Sequence, residues 1–264
     1  MKNDLIYVFG ITENPPYHHR NLASDGFETV LFDDFYVIIK FVPEKEFSQI
    51  NLKKNLSDIN WLESKLTEHL SVISKLMEHT PVIPFKFATI YDSEKELKKF
   101  FMVYHSSIKG NFLRIRGREE WAVKIYCNRR ILSGQIDDKN QIASDLEKQI
   151  MASSPGKAYL LQRKKTEIIK AEMDRICNEY SRSCFDNLRS YSELSTLNII
   201  LNEDSKSKAG TMILNASFLL NRDEVSTFKH AADSLQKENK GSGFLVEATG
   251  PLPPFSFVNI TKKG

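Results

Sequence analysis

Six histidines and three cysteines carry the side chains most suited to metal binding or catalysis, and their spacing brings few of them together. His18 and His19, in "HHR", form the one histidine cluster. A metal ion needs three or four ligands converging on it, and two adjacent loop residues do not supply that, so HHR is expected to be a solvated loop. Cys177 and Cys184 stand seven apart on a predicted helix and Cys127 is isolated; there is no CxxC and no metal spacing. His69 falls beside the apolar stripe of a predicted helix, where partly buried packing is its expected role. Asp58 and Glu68 read as ordinary helix-surface acids. No GxSxG, no GxxxxGK[ST] and no GxGxxG after a strand occurs. "GKAYLLQRKK" sets Gly156 and Lys157 near a helix start, a place that could hold an anion; a capped, solvated helix end is the expected reading. "RKK" (Arg163 to Lys165) and "NRR" (Asn128 to Arg130) are expected to be solvated. The sequence therefore predicts no catalytic residue, no cofactor and no metal ligand, and leaves the partner-binding residues unknown.

The elements that would position any site follow from patterning. The chain has 264 residues, 41% hydrophobic and 27% charged, an ordinary globular composition whose length favours two modest domains. A net charge of +3 is too small to imply nucleic acid or a membrane without a clustered patch. Scattered, odd-numbered thiols fit a reducing compartment. "LIYVFG" opens the chain as a strand without the marks of a signal peptide, and no run of apolar residues is long enough to span a membrane. The protein is expected to be intracellular, or carried on a particle by protein contacts.

In the first half, "TVLF" and "FYVIIKFV" flank Asp33-Asp34 as a hairpin, and the second run is apolar enough to be covered on both faces. A helix follows, capped by Asn60 with Glu63, its stripe formed by Leu62, Leu66, Leu70, Ile73 and Met77. "VIPFKFATIY" reads as a strand with Phe85 and Phe87 on one face. Ser93 and Glu96 cap a further helix running to about Leu113. In the second half, "WAVKIYC" is a strand, Asn128 to Ser154 a polar loop with room for a short helix, and Pro155 starts a helix running past Tyr180. "LSTLNIIL" is a strand with Leu197, Ile199 and Leu201 facing in. "TMILNASFLL" is another, Asp223 caps a helix, and "GFLVEA" is the last strand. The order β-α-β-β-α-β is that of a ferredoxin-like domain. Its sheet offers Ala122, Lys124, Asn198, Asn215 and Ser217 on the less apolar face. The fold class is α+β, with an N-terminal α+β domain at 1–118, a ferredoxin-like domain at 119–250 and a C-terminal tail at 251–264.

That tail, "GPLPPFSFVNI", should leave the sheet at Gly250-Pro251 and run extended, which points Phe255 and Phe257 the same way. Two buried phenylalanines do not offset the backbone entropy of the ordered segment. Leu252, Val258, Ile260 and backbone hydrogen bonds must therefore help to dock it on the protein surface. RNA binding is the remote alternative, because the same β-α-β-β-α-β order serves RNA-recognition domains. "KGSGFLVE" half-matches their aromatic signature, but Ser242 and Glu247 fill two aromatic places and only Phe244 is left to stack.

Six stretches together resemble the gas vesicle GvpL/GvpF family: "YVFGI" (Tyr7 to Ile11), "WLESKLTEHLSVI" (Trp61 to Ile73), "TPVIPFKFATIYDSEKEL" (Thr80 to Leu97), "LRIRGREEWAVKIY" (Leu113 to Tyr126), "PGKAYLLQRK" (Pro155 to Lys164) and "GPLPPFSFV" (Gly250 to Val258). The chain departs from the family in Leu70 after His69, in Phe255 for a tyrosine, and in Lys86 for an arginine. The resemblance implies a two-domain, non-enzymatic accessory protein of gas vesicle assembly. Its implied partners are the major shell protein GvpA and other gas vesicle accessory proteins, with neither nucleic acid nor membrane among them, and its implied location is the gas vesicle or the cytoplasm. A minor structural component of the finished vesicle is the alternative.

Overall fold

The computed structural model describes residues 4–15, 26–200, 206–207, 210–239 and 241–261. The chain divides into two compact units, 1–120 with 251–264, and 121–250.

The first unit is built around β1 (Asp4–Thr12), whose residues after Asp4 are all buried. A strand that apolar is stable only with both faces covered. β1 pairs antiparallel with β3 (Phe35–Pro43), which forms a hairpin with β2 (Glu28–Phe32) through Asp33-Asp34, Asp33 taking a φ of 49°. β4 (Val82–Pro84) and β5 (Ile90–Tyr91) pair with the other edge of β1, giving the order β2-β3-β1-β4. The register slips between Val8 and Gly10, and Phe9 in this bulge accepts a hydrogen bond from the Phe85 amide at 2.9 Å. Ile6, Val8 and Ile11 pack on Leu97, Phe101, Ile108 and Phe112 of α4 (Glu94–Ile115). Leu5, Tyr7 and Phe9 pack with Phe47 of α1 (Glu44–Phe47) and with Val72, Ile73 and Leu76 of α3 (Ile59–Met77); Leu52 of α2 (Gln49–Asn55) lies at the rim.

α3 differs from expectation at its start and in its stripe. Asp58, not Asn60, caps it, accepting from the amides of Asn60 and Trp61. The buried stripe is His69, Val72, Ile73 and Leu76, while Leu66 and Leu70 are exposed. The helix is rotated so that His69 faces the core. The continuous strand expected over 82–91 is broken after Pro84: Ala88 sits at φ 60°, and Lys86 accepts from the amide and hydroxyl of Thr89.

The second unit holds β6 (Arg118–Cys127), β7 (Leu194–Leu197), β8 (Lys206–Ser207), β9 (Gly210–Asn221) and β10 (Phe244–Leu252), in the order β10-β6-β9-β7 with β8 on β9. α7 (Pro155–Arg189) and α8 (Val225–Glu238) cover one face: Val123, Leu214, Ala216 and Phe218 pack on Cys184, Leu188 and Phe228. Glu224, without a side-chain cap bond, starts α8 in place of Asp223. The expected polar loop is instead two helices, α5 (Arg129–Lys139) and α6 (Gln141–Met151). Asn128 caps the first through the amides of Arg130 and Ile131, and Asn140 caps the second through that of Ala143. Each such cap contributes about 1 kcal/mol. Lys165, 6% exposed, reaches from α7 to Asp137 of α5 at 2.8 Å and to Glu147 of α6 at 2.7 Å, tying the three helices together.

β10 also runs further than its sequence suggests, through Gly250 and Pro251 to Leu252. It is an edge strand, where a residue without an amide donor is tolerated. Gly250 is required by proximity: a Cβ there would lie 2.4 Å from the Trp121 ring. Altogether the described residues form a mixed α/β fold of two antiparallel sheets and eight helices.

Candidate interaction surfaces

Among the described residues no group of three or more His, Cys, Asp or Glu is placed to hold a metal ion. His18 and His19 lie outside those residues. His69 is 1% exposed, not partly buried, and both its nitrogens are engaged. The Phe85 carbonyl, 3.0 Å from Nε2, can only accept, so Nε2 carries the proton. Nδ1 then accepts from the Tyr7 hydroxyl at 3.0 Å, and the Tyr7 oxygen accepts from the Ala88 amide at 2.9 Å. Burial holds His69 below its ordinary pKa and pushes Tyr7 above its own. The set joins β1, α3 and the turn after β4. Cys127, Cys177 and Cys184 are buried free thiols. A hydrogen bond to Cys177 and burial push Cys127 up.

In the first unit the C-terminal segment lies along α4. It is not extended: the amides of Phe257 and Val258 return to the Pro254 carbonyl at 3.2 and 3.1 Å. This turn separates the two phenylalanines expected to point together, so Phe257 is buried and Phe255 is 40% exposed. Val258 and Ile260 pack against the α4 side of the core. Buried Asn111 pairs with both backbone groups of Asn259: its Nδ2 donates to the Asn259 carbonyl and its Oδ1 accepts from the Asn259 amide, each at 3.0 Å. Arg114 donates to the Phe257 carbonyl at 3.0 Å. Glu120 accepts from the Ser256 hydroxyl at 2.6 Å and from its amide at 3.0 Å. Sequence reading missed Asn111, Arg114 and Glu120. A lone asparagine in the middle of a helix, among aromatic residues, was the available signal: its own helix offers the Ser107 carbonyl at 2.9 Å and Arg114 at 3.1 Å, and the carboxamide keeps capacity for a second donor and acceptor bond.

In the second unit, Leu197 pairs across from Ala216 and so shares the helix-covered face, as expected, yet it is exposed and Ile199 is 81% exposed. The cause is position: β7 is the far edge of its sheet and ends at Leu197, before Ile199. A groove of about 410 Å³ lies there, lined by Arg182 and Phe185 of α7 and by Leu197, Ile200, Leu214 and Asn215. Leu201 lies outside the described residues. On the opposite face Lys124 is exposed, Ala122, Asn198 and Asn215 are half-buried, and Ser217 is buried, accepting from Asn198 at 3.0 Å. Phe244 is buried, its ring 4.2 Å from that of Tyr180, and cannot stack a base.

The profile of the family described as "Gas vesicle synthesis protein GvpL/GvpF" matches residues 5–259. The chain belongs to the GvpL/GvpF family. Gas vesicle protein L of Streptomyces sp. (strain CB03234) is 24% identical over 263 residues, covering 98% of this chain and 94% of that protein. Gas vesicle protein F of the same strain is 41% identical over 51 residues, 19% of this chain and 21% of that one. The crystal structure of GvpF from Anabaena sp. PCC7120 superposes with a TM-score of 0.72 at 17% identity, covering 98% of this chain and 99% of that one. GvpF from Microcystis aeruginosa gives 0.65 at 16% identity, covering 97% and 99%. These two likenesses establish a shared fold. The GvpL/GvpF stretches "PGKAYLLQRK" and "GPLPPFSFV" fall on the first turns of α7 and on the end of β10 with the turn that follows.

Proposed function

We propose that this GvpL/GvpF-family chain is an accessory protein of gas vesicle assembly, binding the major shell protein GvpA and other gas vesicle proteins while the shell nucleates or grows. The observation that carries this reading is the family match over 5–259, nearly the whole chain. Physical chemistry supplies the need. A small, very apolar shell subunit exposes strands and faces that associate non-specifically, and a binding module that holds it keeps it available for ordered addition. The chain acts as a protein-binding module, not an enzyme, and works in the cytoplasm or on the gas vesicle. Among the described residues no helix is long and apolar enough to cross a membrane.

The domain reading is part of the proposal. The order β10-β6-β9-β7, with α7 and α8 on one face, supports a ferredoxin-like second domain, and the hydrogen bonds from α4 and Glu120 support a docked tail. The test is co-expression of the tagged chain with GvpA and the companion gas vesicle proteins, followed by affinity capture and cross-linking read residue by residue. Capture of GvpA, alone or with companions, is the expected result; capture of no gas vesicle protein overturns the proposal. Stripping isolated vesicles with mild denaturant separates the roles: an assembly factor is released, whereas a structural component of the shell stays.

A further inference from the structure

The turn joining α6 to α7 presents large apolar side chains to solvent. Met151, which ends α6, is 79% exposed, and Tyr159 and Leu160, on the first turns of α7, are each 64% exposed. An exposed apolar group by itself is ordinary. What distinguishes this place is the charge around it. Lys157, Arg163, Lys164 and Lys170 are all exposed, and none has an ion-pair partner among the described residues. Other cations nearby are already engaged: Lys148 with Asp145, and Arg175 with Glu172 and Glu179. Glu167, exposed beside Arg163, Lys164 and Lys170 on α7, has no ion-pair partner among the described residues either. Helical geometry puts Tyr159, Arg163 and Lys170 in one row and Leu160, Lys164 and Glu167 in the next. Lys157 and Lys164, like Arg163 and Lys170, stand seven residues or about 10 Å apart, two helical turns.

We propose that this surface docks an acidic amphipathic helix of a partner protein. The paired apolar side chains would meet the partner's apolar stripe, and the four cations would meet carboxylates placed at one- or two-turn spacing beside it. Charge complementarity selects this occupant: a row of unpaired cations repels a basic or neutral-basic helix and attracts carboxylates. A membrane is disfavoured by shape. The opposite side of α7 is fixed against the unit through Lys165 and Met173, so only the Tyr159–Leu160 side could enter lipid, without the continuous apolar face that interfacial helices use. The inference deepens the reading of the chain as a binding module, and rests on it, by giving that module a surface and its partner a chemistry.

The full-length chain is the test object. The probe is a fluorescein-labelled synthetic amphipathic helix with a leucine stripe flanked by glutamates; the controls are the same peptide with lysines for the glutamates, and lipid vesicles of equimolar phosphatidylglycerol and phosphatidylcholine. Two variants remove the two halves of the surface, Tyr159→Ser with Leu160→Ser, and Arg163→Glu with Lys164→Glu. All four positions are exposed, so thermal melts should match the parent. The parent should bind the acidic peptide and not the basic one, and each variant should weaken that binding by about tenfold or more, with added salt weakening the parent. Equal binding by parent and variants overturns the proposal, as does binding to anionic lipid without binding to the acidic peptide. The same variants in the capture experiment keep the two readings apart. If the parent captures gas vesicle proteins and the variants capture them equally well, the surface assignment fails and the function stands; if the parent captures none, the function fails.

Discussion

Replacing Asn111 by leucine isolates what holds the C-terminal segment. The side chain is 3% exposed and satisfies both backbone groups of Asn259 at 3.0 Å, as a neighbouring strand would. Leucine fills nearly the same volume but turns an alkyl group toward that N–H and C=O. Each hydrogen bond lost costs about 1 kcal/mol, and a polar group left stranded costs about 1–3 kcal/mol. Because the segment lies at the surface and Asn259 can recover water when it lifts, the cost falls on docking and amounts to about 2–3 kcal/mol. Converted at 1.36 kcal/mol per tenfold, this opens the segment about 30- to 150-fold more often. Native-state hydrogen exchange at the Asn259 amide reads that number directly. Chymotrypsin cleavage after Phe257 should accelerate in parallel. Ser107→Ala serves as the graded control, since Ser107 makes only a 3.4 Å bond to the Asn259 carbonyl and a 3.2 Å bond from the Thr261 amide; its effect should be no more than about tenfold. If Asn259 exchanges at the parent rate in Asn111→Leu, the apolar contacts of Phe257, Val258 and Ile260 suffice, and the hydrogen-bonding argument is wrong.

Other perturbations have defined outcomes. Lys165→Met should lower stability by about 1–3 kcal/mol in chemical denaturation, because Asp137 and Glu147 keep their charges beside an apolar side chain; adding Asp137→Asn and Glu147→Gln should recover most of the loss. Gly250→Ala should destabilise by about 1–3 kcal/mol through collision of its Cβ with the Trp121 ring, visible in denaturation curves and in tryptophan emission; unchanged curves would show that β10 shifts freely. His69 has a folded pKa depressed by burial, so the unfolded chain takes up the proton first as pH falls. Stability is full above the ordinary value of 6.5 and declines as pH drops below it toward the folded pKa, by at most about 1.4 kcal/mol per pH unit. His69→Gln should remove that component from the melting-temperature profile between pH 7 and 5.

The parts of the fold visible in the sequence are those fixed by short-range chemistry. The Asp33-Asp34 hairpin, the Ser93 cap with its bond from the Glu96 amide, and the alternation of Met212, Leu214, Ala216, Phe218 and Leu220 each follow from a few neighbouring residues. Two errors also have local causes. Asn128 and Asn140 are strong N-caps, but the first of the two eleven-residue helices is so polar that its apolar face, Leu132 and Ile136, is narrow, and with only Asn140 between the two helices the segment reads as a loop. The α3 stripe is misread by one position because a histidine counts as polar in a hydropathy pattern, although His69 is the residue that faces Tyr7 and Phe85.

What the sequence could not display is where long-range partners stand. The asparagine at 111 and the amide at 259 are 148 residues apart, and only the folded chain brings the single carboxamide against both backbone groups. The same holds for exposure. Leu197 and Ala216 are paired on neighbouring strands and both look apolar, yet one is 62% exposed and the other fully buried, because β7 ends the sheet while β9 lies inside it. For the proposed binding role, this is the decisive limit. A reactive centre needs particular residue types at particular spacings and can be read as a motif, whereas a docking surface is made of ordinary leucines, tyrosines and lysines whose meaning lies in what is left uncovered. Tyr159 and Leu160 illustrate it. In the sequence they are two apolar residues near the start of a helix; in the fold they stand outside, beside cations that have no ion-pair partner among the described residues.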